Sequence, residues 1–128
     1  MKKILIQTLI ISLFFINFNA TAEIKHIKDG NVDAKVKLVV FESLTCSHCG
    51  DFHRDIYPKL KTDFIDKNLI SIEYRNFPLD IAAFNAAKIA HCRNDGKSEI
   101  LHHLYNNQSS WVRAVSYTHL TLPTSHCV

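Results

Sequence analysis

The order of elements predicts an α/β domain with an inserted helical segment, and three observations carry that prediction. A continuous apolar run, Leu38-Val39-Val40-Phe41, reads as a strand. A helical pattern follows it, and residues 69–75 then alternate as a second strand would. After that the chain turns to alanine-rich and leucine-bearing stretches that read as a run of helices.

Taken in order, Ile24-Lys25-His26-Ile27 is a short first strand and Asp29-Gly30-Asn31 a turn signal. The apolar run is β-branched in its middle, so it is expected to be interior to the sheet and covered on both faces. The helix after it is expected to start around Cys46, with Phe52, Ile56, Leu60 and Phe64 forming its buried face. Pro58 lies inside this pattern and predicts a kink or local break about one turn earlier. Asn68 suits a left-handed stop. In the second strand Ile70, Ile72 and Tyr74 point one way and Ser71, Glu73 and Arg75 the other. A long helical connection predicts that the two strands are parallel, with a right-handed crossover. Asp80 is a good N-cap for a helix over 81–92, whose alanines at 82, 83, 86, 87 and 90 permit close packing. Asn94-Asp95-Gly96 ends it, residues 98–105 form a shorter helix, and residues 106–110 read as a loop before Trp111.

The two ends of the chain differ from this middle. Met1-Lys2-Lys3 is a basic start, and residues 4–18 are apolar except for Gln7, Thr8, Ser12 and Asn17. Ala20-Thr21-Ala22 then offers a cleavage site, so residues 1–22 read as a secretory signal peptide. A membrane anchor is disfavoured because a span needs ~20 apolar residues, and no stable membrane insertion is expected after cleavage. Losing Lys2 and Lys3 takes the formal charge from +3 to +1, which leaves no electrostatic case for nucleic acid or an anionic membrane. A short Lys-Lys signal suits a bacterium and localisation to the periplasm, where a dithiol is either structural or redox-active. Residues 23–113 are then the mature domain. From Ala114 neither helical nor alternating periodicity fits, and residues 115–124 resemble the translation of a transposase adapter used in sequencing libraries. Residues 114–128 are therefore expected to be a non-native tail. A species-specific disordered terminus is the alternative.

The chemistry gathers at Thr45-Cys46-Ser47-His48-Cys49. Two cysteines separated by two residues, at the start of a helix after a strand, place one sulfur among unpaired backbone N–H groups that favour a thiolate. Cys46 is the expected attacking thiolate and Cys49, one turn further in, the resolving thiol. Ser47 and His48 between them tune the couple, with a partly cationic His48 stabilising the Cys46 thiolate. A stabilised thiolate is also a good leaving group, which makes the disulfide a stronger oxidant. A metal site is the competing reading. It lacks two further ligands at short spacing, since Cys92 is distant and histidines 26, 53, 102 and 103 show no ligand spacing with the dithiol, so no metal and no cofactor beyond the redox-active disulfide is expected.

The region from about Ile24 to Val112 resembles the DsbA-like thiol–disulfide oxidoreductases of the thioredoxin superfamily, especially those of alphaproteobacteria. The residues that carry the resemblance are Thr45-Cys46-Ser47-His48-Cys49 with Asp51-Phe52-His53, then Tyr74-Arg75-Asn76-Phe77-Pro78-Leu79-Asp80, Ala90-His91-Cys92, and Gln108 with Trp111. The resemblance implies a thioredoxin-like fold with an inserted helical segment, and Cys46 and Cys49 as the catalytic pair. Ser47 stands where many relatives carry proline, so their redox potential does not transfer. It also implies that the fold is incomplete: the cis-proline strand facing the dithiol, the last strand and the terminal helix are absent, and Pro123 falls too early to serve. The chain is accordingly expected to be poorly stable and weakly active, its sheet edges exposed. Cys92 reads as half of a structural disulfide with its partner in the absent part, Cys127 being discounted, or else as a small buried residue. The implied function is a periplasmic oxidase that donates its disulfide to reduced exported proteins and is recharged by a membrane quinone-linked, DsbB-like reoxidase. The alternatives are an isomerase or reductase of the same superfamily, and a periplasmic metal-binding thiol module.

Overall fold

The structure, a computed structural model, describes residues 23–117, with side chains described to Val112. The signal-peptide reading of residues 1–22, Pro123 and Cys127 lie outside the described residues. Three strands form one sheet in the order β1-β3-β2: β1 is Ile27–Asp29, β2 is Val36–Glu42 and β3 is Ile70–Asn76. β2 and β3 are parallel, with Leu38 beside Ile72 and Val40 beside Tyr74, as the long connection predicts. β1 adds to the other side of β3 antiparallel, Ile27 opposite Tyr74.

The connection between β2 and β3 is a helical run over residues 47–65, here α1. It alternates α-helix at Ser47–Asp51 and Tyr57–Leu60 with π-helix at Phe52–Ile56 and Lys61–Ile65. The π segment ends just before Pro58, so the break expected ahead of the proline takes the form of a widened turn. Each widened turn rotates the inward face. The buried residues of α1 after Gly50 are His53, Tyr57 and Ile65, with Phe52 and Leu60 partly buried against the core; Ile56 is 56% and Phe64 44% exposed, which corrects those two positions of the expected Phe52/Ile56/Leu60/Phe64 stripe. Asn68 ends the run at φ 59, as expected.

β3 alternates as predicted, with Ile70, Ile72 and Tyr74 buried. β2 does not behave as an interior strand. It lies at the sheet edge, its neighbour on one side only, and Val39 and Phe41 are 51% and 68% exposed. No described element covers that face, and Glu42 is the one fully buried residue of the strand.

Three helices follow: α2, Ile81–Ala90; α3, Glu99–Asn106; and α4, Gln108–Tyr117. Asp80 caps α2, its carboxylate accepting the Ala83 N–H at 2.7 Å. Ala83, Ala86, Ala87 and Ala90 are buried, and Leu101 and Tyr105 of α3 are fully so. α4 begins inside the expected loop over 106–110 and passes residue 113 without a break. Its first residue, Gln108, is buried with its amide on carbonyls of the loop before α1, a tertiary tie that outweighs the polar composition of the segment. The remainder of the expected tail lies outside the described residues.

Candidate active site

The dithiol sits where β2 hands over to α1. Ser43, Leu44 and Thr45 make the turn, closed by the Cys46 N–H on the Ser43 carbonyl at 3.0 Å. Cys46 is the residue that opens the helix, extended at φ −74 and ψ 121, and no side chain caps that end. Its sulfur takes up the role. The backbone N–H of Cys49, then the Cys49 thiol and the N–H of His48, hold the Cys46 thiol below the ordinary thiol value, against burial and the Asp51 charge. Cys49 moves the other way: burial pushes it up to about 11, the Cys46 sulfur and Glu42 add to the rise, and a Ser43 backbone hydrogen bond opposes it. Both cysteines are free thiols, so the site is in its dithiol form. The two thiols are displaced in opposite directions, Cys46 toward the thiolate and Cys49 toward the protonated form.

Two clamps fix this geometry. Gln108, buried at the start of α4, donates its side-chain amide to the carbonyls of Leu44 and Cys46, both at 2.8 Å. Thr45 donates to Asp80 at 2.7 Å, joining the turn to the cap of α2, and the Leu79 N–H reaches Ser43 Oγ at 3.3 Å.

The His48 side chain is 93% exposed and faces Asp51 at 3.7 Å, and the His48 backbone N–H is among the hydrogen bonds to the Cys46 sulfur. Ser47 is exposed at the first helical position. Cys92 is disulfide-bonded and stands apart from the dithiol, just beyond α2.

Beneath the dithiol lies a buried polar chain that the sequence reading missed. Glu42 pairs with His53 Nε2 at 2.8 Å, His53 Nδ1 meets His102 Nδ1 at 2.9 Å, and His102 Nε2 meets Asp29 at 2.9 Å. Asp29 also accepts from Tyr57 and Tyr74 at 2.9 and 3.0 Å, and from Ser98. Tyr105 stacks on His53 at 3.9 Å and Tyr57 on His102 at 4.0 Å. Burial resists ionisation of Asp29, but the hydrogen bonds from His102, Ser98 and Tyr57 prevail and bring it down to about 2. The signal available beforehand was slight: His53 lies on the dithiol helix, but nothing local links it to a histidine in α3. Among the described residues no group of three or more His, Cys, Asp or Glu side chains is placed to hold a metal ion.

Comparison with known proteins agrees with this arrangement. Residues 22–126 match the family described as Thioredoxin. A Rickettsia bellii protein that carries a protein-disulfide oxidoreductase name is 34% identical over 93 residues, 71% of this chain and 36% of that protein. Among solved structures, Wolbachia pipientis alpha-DsbA1 aligns with TM-score 0.62 and 32% identity, over 67% of this chain and 44% of its own. A protein-disulfide isomerase from Novosphingobium aromaticivorans aligns with TM-score 0.66 and 29% identity, over 73% and 48%. The chain thus spans about a third of the curated relative and under half of each solved one.

Proposed function

The chain belongs to the thioredoxin family, and we propose from that premise that it carries the dithiol of a DsbA-like protein-disulfide oxidoreductase. The observation that carries the reading is the placement of two free thiols in one turn at the uncapped start of α1, Cys46 opening the helix and Cys49 one turn further in. In the oxidised form a substrate thiolate attacks Cys46 Sγ, the Cys46–Cys49 bond breaks, and Cys49 leaves as a thiolate that takes a proton. A second substrate thiolate then attacks the substrate sulfur of the mixed disulfide and expels Cys46, a good leaving group because its thiolate is stabilised.

The same proposal places the protein in the periplasm, exported by a leader over residues 1–22, with reduced exported proteins as substrates and a DsbB-like quinone-linked partner as reoxidant. What supports this is the basic–apolar–small order of the leader and the likeness to DsbA proteins. The foreign-tail reading of residues 114–128 rests on the adapter-like string. α4 crosses its boundary and the family match runs to residue 126, so a genomic frame intact through Val128 would remove it.

The test is reoxidation of reduced, unfolded ribonuclease in a glutathione buffer. Weak catalysis is expected from the unaltered chain, loss with Cys46→Ala, and a trapped mixed disulfide with Cys49→Ala. Rearrangement of scrambled ribonuclease in preference to oxidation would favour the isomerase reading. Failure of all three, with zinc retained by the reduced protein, would favour a metal-binding module.

A further inference from the structure

Two histidine rings fasten one helix to another. His53 lies on α1 and His102 on α3, and their Nδ1 atoms meet at 2.9 Å. Their Nε2 atoms are taken by carboxylates of two different strands, Glu42 of β2 at 2.8 Å and Asp29 of β1 at 2.9 Å. Four groups thus stand in a line with three hydrogen bonds between them, and each bond needs one proton. The count is three wherever along the line the protons sit. Tyr57 of α1, Tyr74 of β3 and Tyr105 of α3 surround the rings and do not alter it, because burial raises each hydroxyl above its ordinary value and all three stay protonated. Ser98 donates to Asp29, and the charged groups nearest the open side, Arg54, Lys61 and Glu99, line the cleft on which Asp29 and His102 border.

Separating the rings changes the count. In water above about pH 5 the carboxylates hold no proton, while an imidazole of ordinary value, about 6.5, holds one proton above that value and two below it. The separated groups therefore hold two protons on the alkaline side and four on the acid side, against three when joined. Joining takes up a proton at high pH and gives one up at low pH. The contact is strongest near pH 6.5 and weakens in both directions, by about tenfold in the ratio of joined to separated forms per pH unit.

We propose that His53 and His102 form a pH-set latch between α1 and α3, closed on one shared proton and loosened both by its loss and by the arrival of a second. Its hold reaches the dithiol turn. α3 ends two residues before Gln108, whose amide holds the carbonyls of Leu44 and Cys46, so loosening α3 loosens that clamp.

The test follows urea unfolding of the full chain and of the double variant His53→Gln/His102→Gln across pH, the difference in slope giving the protons exchanged by the pair. At pH 5.5 the unaltered chain is expected to take up about one proton more than the variant on unfolding, and at pH 7.5 to release about one more. A pair neutral in the fold would give an uptake of about two and then nothing, and a doubly charged pair nothing and then a release of about two; either result overturns the latch. Amide exchange at residues 44–46, corrected for its intrinsic pH dependence, is expected to be slowest near pH 6.5 and faster to either side. A flat profile there overturns the hold on the turn. Nitrogen-15 spectra of the unaltered chain decide the matter even where the variant does not fold: one proton coupled to both Nδ1 atoms is expected near pH 6.5, and two bare or two separately protonated Nδ1 atoms overturn the latch.

Discussion

The amide of Gln108 occupies the space that a side chain on Gly50 would fill. A Cβ there would collide with Gln108 Oε1 and Cδ, and with the end of Arg54. Arg54 is flexible and exposed, but Gln108 is buried and tied to two carbonyls of the dithiol turn, so it cannot yield without losing both bonds.

Gly50→Ala is therefore expected to destabilise the fold by about 1–3 kcal/mol, the usual range for overpacking a filled site. It should also loosen the turn around Cys46. Denaturant unfolding measures the first effect, and faster amide exchange at residues 44–46 the second. An unchanged midpoint would show that Gln108 moves freely.

The Glu42–His53 pair makes a stronger demand. The His53 side chain is fully buried and that of Glu42 nearly so. Glu42→Ala strands the imidazole without its acceptor and is expected to cost about 3–5 kcal/mol. Replacing both residues with apolar ones of similar size should cost less than this single change, which a double-mutant cycle followed by urea unfolding would read.

Asp29 sets an acid limit on stability. Its carboxyl is depressed from 3.8 to about 2 in the fold, so the folded state favours the ionised form. The stabilisation is complete above the unfolded value and is lost as pH falls through about 2. Asp29→Asn should flatten that part of the stability profile, measured by unfolding at pH values between 5 and 2. An identical acid profile would place the acid-sensitive group elsewhere.

An apolar surface runs from the exposed β2 residues Val39 and Phe41, and further apolar side chains are exposed at Phe77, Leu79 and Ile81. Such an area on an edge strand invites association. The chain should bind a fluorescent apolar probe strongly, and Phe41→Lys should lower both that signal and concentration-dependent scattering without moving the Cys46 alkylation rate.

Much of this was legible in the sequence because it is local. The parallel pair β2 and β3, the Asn68 stop, the Asp80 cap and the dithiol at the head of a helix all follow from short-range patterns. What escaped is non-local. His53 lies on the inward face of α1, and packing of α3 brings His102 to it across 49 positions of sequence. Gln108 lies in a polar stretch that reads as a loop until its amide is seen on the turn carbonyls. The continuous apolar run of β2 correctly marks a strand, but apolarity alone does not say which faces other elements cover.

The central claim is that Cys46 and Cys49 differ in protonation within one helical turn. Rates of alkylation of each thiol in the reduced chain, resolved by peptide mass spectrometry across pH, test it most directly. The account predicts that Cys46 reacts first, with a midpoint below the ordinary thiol value of 9.0, and that Cys49 stays resistant until about pH 11. Two thiols reacting together, each with an ordinary thiol profile, would contradict it.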